Sequence, residues 1–160
     1  MENSQSGSVV NELIALMQNG NAHITFEEAV ADLPAHLRGV TPENLPYSIW
    51  QLVEHIRIAQ KDIVDFSESA EHESLAWPDD YWTEALTEVS DEQWETALSQ
   101  IKEDQKRFVT LLHDHANDLV KPFPWGQGQN LMREALLIGD HNAYHTAEIL
   151  VIRRLLNAWH

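Results

Sequence analysis

The sequence predicts an all-α protein, a four-helix bundle with a long early crossover connection. Three observations predict it. Apolar residues recur at three- and four-residue spacing through four long segments. No segment shows the strict apolar–polar alternation of a half-buried strand, and no internal repeat is visible. Gly and Pro number six each in 160 residues, few for a β-rich fold full of tight turns. The length suits one globular domain with a real core, and 43% apolar residues argue against disorder away from the ends.

Residues 1–7 are small and polar and read as a flexible N-terminus, with a single domain over 8–160. The first helix carries Val9, Val10, Leu13, Ile14 and Met17 and stops at Gly20. A short helical piece follows, opened by a capping box of Thr25 and Glu28 and ended at Pro34. Pro42 and Pro46 mark a loop. The long helix "SIWQLVEHIRIAQKDIVDFSES" has an inner stripe of Leu52, Ile56, Ala59, Ile63 and Phe66. An irregular stretch surrounds Pro78. Ser90 and Gln93 form a second capping box, ahead of a stripe of Trp94, Leu98, Ile101, Phe108, Leu112 and Leu119. After the loop "KPFPWGQGQ" the last helix begins near Asn130 and runs almost to the end. Such pieces suggest an antiparallel bundle. The stretch between residues 20 and 47 is long for simple up-down-up-down order, which places the expected crossover there.

Composition excludes several functions. The formal charge of -16 repels phosphate backbones, so nucleic-acid binding is not expected. With no cysteine there are no disulfides, thiolate ligands or cysteine nucleophile, and any metal is left to His, Asp, Glu and water. No signal peptide or membrane span is visible, so the cytoplasm is the default compartment.

The chemistry is in the histidines. Nine are present, enough to give about half an i,i+4 pair by chance, so spacing alone says little. Position says more. On the last helix the stripe reads Ile138, His141, His145, Ile152, Leu155 and Trp159, which points both rings into the core. Rings four residues apart lie one above the other and can reach one ion. His55, between Leu52 and Ala59, falls on the inner side of the other long helix. Three neutral nitrogens suit zinc, nickel or iron(II) and leave a coordination position free. The competing reading is three core histidines, each satisfied by hydrogen bonds. Glu148, one turn beyond His145, could orient a ligand or act as a catalytic base; an ordinary ion pair with an arginine serves as well.

Other residues carry weaker expectations. His113 and His115 point to different sides of their helix, with His115 kept as a neighbour of the site. His23, His36, His72 and His160 are expected to be exposed. Trp50, Trp94 and Trp159 read as core. Trp77, Trp82 and Trp125 lie in loops, where packing over the bundle end is favoured over lining a pocket. A di-iron carboxylate bundle needs repeated Glu-x-x-His motifs, which this chain lacks.

The stretches "LPYSIWQLVEHIRIAQKDI" and "GDHNAYHTAEILVIRRLLNAW" resemble the DinB/YfiT-like superfamily, over most of the chain from about Leu13. The resemblance implies a DinB-like four-helix bundle in up-down-down-up order, often homodimeric. It also implies a divalent metal on His55, His141 and His145. Some members of the superfamily are thiol-dependent enzymes that join a low-molecular-weight thiol to an electrophile. The first expectation is therefore a metal-dependent thiol S-transferase acting on a small-molecule substrate. Arg57, Arg133, Arg153 and Arg154 are the few bases able to meet a thiol's carboxylate. A metal-dependent hydrolase using Glu148 as base, and a non-catalytic metal-binding stress-response protein, stand beside it.

Overall fold

The computed structural model describes residues 2–159. It contains five α-helices and no strand among those residues: α1 Glu2–Gln18, α2 Phe26–Val30, α3 Ile49–Glu68, α4 Asp91–His113 and α5 Leu131–Leu155. The bounds of α1 begin upstream of the apolar spacing, within the stretch read as flexible. Both anticipated capping boxes are present, at Thr25/Glu28 and Ser90/Gln93. A third opens α3, where Ser48 accepts from the Gln51 amide and Gln51 from the Ser48 amide. Gly20 closes α1 at φ +64, where a Cβ would stand 2.5 Å from the His23 carbonyl oxygen.

The four long helices pack side by side, and their contacts fix their directions. Gln60 donates to the Ile101 carbonyl, and Arg107 reaches Asp65 and Glu68. Moving forward along α3 thus moves forward along α4, so the two run parallel. On α5 the order reverses, with His141 facing His55 and Asn142 bonded to Gln60 near their middles while Leu131 and Ile138 share a cluster with Val64 and Ile149 and Ile152 one with Ile49. Gln105 donates to the Met17 carbonyl, while Val10 lies beside Leu112, so α1 opposes α4. The first and last long helices therefore run one way and the middle two the other. This is the up-down-down-up order that the resemblance implies, not the up-down-up-down order of a simple antiparallel bundle. The early connection is long, as expected, but it joins the opposed helices α1 and α3. The stretch that must run back along the bundle is 69–90, because it joins parallel helices.

Two apolar clusters fill the bundle. One gathers Ile49, Trp50, Val53, Ile56, Trp94 and Ile152 among others; the second centres on Met17, Val64, Phe108, Leu131 and Ile138. Between them lies a polar layer of His55, Gln60, Asp104, His145 and Thr146, all buried. Gly139 lets α1 approach α5: a Cβ there would meet Leu16 Cγ at 2.8 Å. The predicted stripes need adjusting. Ile63 and Phe66 are half-buried while Val64 is fully buried, Leu155 is exposed, and Trp159 lies beyond α5 with its ring against the Arg153 guanidinium.

Phe108 is fully enclosed. Phe108→Ala should lower stability by about 3–5 kcal/mol and Ser48→Ala by about 1 kcal/mol, both read by urea denaturation.

Candidate metal centre

The three predicted histidines converge. One nitrogen from each of His55, His141 and His145 lies within 4.8 Å of the other two. His55 Nε2 and His141 Nε2 are 3.1 Å apart. Two nitrogens bound to one ion at about 2.0–2.1 Å stand about 2.9–3.4 Å apart, so this spacing fits a shared ion.

The remaining ring nitrogens support that fit. His55 Nδ1–H donates to the Tyr81 carbonyl at 2.9 Å, which leaves Nε2 with its lone pair. His145 Nδ1–H donates to Glu148 Oε2 at 2.7 Å, again freeing Nε2. A carbonyl or carboxylate behind the coordinating imidazole is the usual support of a metal ligand, because it fixes tautomer and ring angle. His141 Nδ1 is buried without such a partner.

Aromatic rings wall the site. Trp82 stacks on His55 at 4.0 Å between centroids and nearly parallel, and Tyr47 stacks on Trp82 at 5.6 Å. The Tyr47 hydroxyl donates to Glu148 Oε1, which closes a circuit from His55 through Trp82, Tyr47 and Glu148 to His145. Burial, then the bond to Glu148, push the Tyr47 hydroxyl up to about 12. Beside Glu148 a recess of about 270 Å³ is lined by Leu45, Tyr47, Tyr144, Ala147, Val151 and Ile152.

Glu148 is at the site, as expected, with both oxygens engaged. Tyr47, the Tyr81 carbonyl and Trp82 were missed. They lie outside the long helices, where no periodicity reports direction, and the preference for Trp82 as bundle-end packing is corrected by its stack on His55. His115 is exposed and lies at the far end of the bundle beside Val10, so it is no neighbour of the site. His23 and His36 are exposed. His72 is not: its side chain is 7% exposed and Nε2 lies 2.9 Å from Asp62 Oδ1, because the chain folds back over α3 there. His160 lies outside the described residues. Arg57 pairs with Glu54, Arg133 with Glu134, and Arg153 donates to the Ala29 and Ala31 carbonyls. Arg154 is exposed in the last turn of α5.

No family model, curated protein or solved structure matches the chain. No helix among the described residues is long and apolar enough to cross a membrane.

Two of the crowded imidazoles, His141 and His55, resist protonation. Burial, then the neighbouring His145 and His55, push His141 down to about 4, and burial also lowers His55. The unfolded chain takes up these protons near the usual value of about 6.5. In metal-free protein the resulting stabilisation is intact above about pH 6.5 and is lost as pH falls toward 4. Urea denaturation of chelator-treated protein across that window should show a loss on the order of 2 kcal/mol, with a shallower slope for His141→Phe.

Proposed function

We propose that this chain is a divalent-metal enzyme of the DinB/YfiT-like superfamily that joins a low-molecular-weight thiol to a small apolar electrophile. The observation that carries the metal is the convergence of His55, His141 and His145, two of them backed by a hydrogen-bond acceptor. Three protein nitrogens leave room for an exogenous ligand. A divalent ion held there supplies Lewis acidity, which favours the ionised form of a coordinated thiol. Zinc, nickel and iron(II) all suit the donor set.

The chain's own residues then have definite tasks. The three histidines hold the ion, with Tyr81 and Glu148 fixing the angle of two of them. The recess between Tyr47 and Tyr144 takes the apolar body of the substrate. The absence of cysteine means that the nucleophilic sulfur comes from the cosubstrate. In the overall reaction that sulfur bonds to the electrophilic carbon, the leaving group departs with its electron pair, and the thiol proton passes to solvent. The choice of S-transfer rests on the resemblance, and Glu148 supports it over hydrolysis. Its oxygens are held by His145 and Tyr47, which makes it an orienting group rather than a free base. A homodimer belongs to the same reading.

Protein loaded with zinc, nickel or iron(II) should turn over an activated aryl chloride with cysteine as the thiol, and chelation should abolish this. A fully loaded protein that supports no turnover with cysteine or any other small thiol would remove the assignment. Glu148→Gln should weaken metal affinity about 10–100-fold and keep most of the rate at saturating metal. Unchanged affinity with a lost rate would instead make Glu148 a base that takes the thiol proton, and not only an orienting group.

A further inference from the structure

The return stretch 69–90 has a fixing point outside the metal centre. The Asp62 carboxylate, on α3, binds it twice. Oδ2 accepts the Tyr81 hydroxyl at 2.6 Å, and Oδ1 lies 2.9 Å from His72 Nε2. His72 is enclosed, with its ring edge-on to Phe66. Tyr81 is the residue whose carbonyl accepts the His55 Nδ1–H, and the next residue, Trp82, covers the His55 ring. Asp62 and His55 are seven residues apart on α3, two helical turns, and so lie on one face. Tyr81 spans the gap between them, hydroxyl on Asp62 and carbonyl on His55.

Between the return stretch and α3 lies a cleft of about 550 Å³. The α3 carboxylates Asp65 and Glu68 on its wall pair with Lys61 and Arg107. Asp62 instead bonds to the return stretch, through Tyr81 and His72. Its bond to Tyr81 sets where the Tyr81 carbonyl stands, and so the angle at which His55 presents Nε2.

We infer that Asp62 is a positioning residue for His55, acting through the Tyr81 hydroxyl and carbonyl. The inference rests on the metal-site reading for its consequence, and on hydrogen bonds alone for its mechanism. Partners one step behind a metal ligand commonly set affinity within a factor of about 10–100.

The test uses the full chain and two readouts. The first is zinc affinity by competition with a chromophoric chelator. The second is solvent exchange of the His55 Nδ1–H, followed by NMR in metal-free protein. Tyr81→Phe and Asp62→Ala should each weaken zinc binding about tenfold and speed the exchange, with the helical circular dichroism unchanged. Asp62→Asn, whose amide oxygen still accepts the Tyr81 hydroxyl, should stay close to wild type in both. Wild-type affinity and exchange in Tyr81→Phe and Asp62→Ala would overturn the inference. Wild-type protein that binds no zinc would overturn the metal reading, while the exchange comparison would still decide the Asp62–Tyr81–His55 link.

Discussion

Three imidazoles in the middle of a helical bundle must each find partners for two ring nitrogens. An unpaired buried polar atom costs about 1–3 kcal/mol, so this requirement constrains everything packed around the rings. The bundle meets it for all but His141 Nδ1, in two directions. Outward-facing nitrogens of His55 and His145 donate to the Tyr81 carbonyl and to Glu148. Inward-facing nitrogens gather at one point, with His55 and His141 separated by 3.1 Å. Lone pairs directed at one another are unfavourable without a proton or a cation between them, and three rings cannot all be satisfied by one proton. A divalent ion would satisfy all three at once.

Helix direction supplies the rest of the site. Because α3 and α4 run parallel, the chain between them has to travel back along the bundle. That return carries Tyr81 and Trp82 to His55. The early connection likewise ends at Tyr47, just before the capping box that opens α3, and Tyr47 reaches across to Glu148. Two connecting segments thus roof a site whose histidines stand on the long helices. Rigid helices hold the donor nitrogens, and the loops supply aromatic cover and an apolar recess.

The fold was legible because its signals are local. Capping boxes at Thr25 and Ser90, and apolar spacing over α3, α4 and α5, depend on neighbours three and four residues away. The three histidines were legible for the same reason: His141 and His145 interrupt an apolar stripe, and His55 sits inside another. What could not be read depends on the return of the chain. Trp82 and the Tyr81 carbonyl become part of the site only through the parallel order of α3 and α4. His72 is enclosed only because the same stretch doubles back over Asp62. Glu148 was placed by its spacing from His145, but its second contact, to Tyr47, spans 101 residues and leaves no trace in a local pattern.

The most direct test is the metal itself. Untagged wild-type protein, His55→Ala and His145→Ala should be compared by elemental mass spectrometry after purification. The account predicts about one equivalent of a divalent metal per chain in the wild type and its loss in both variants. A wild type that takes up no zinc, nickel or iron(II) even when these are added, or variants that keep full occupancy, would contradict it and return the three rings to ordinary core histidines.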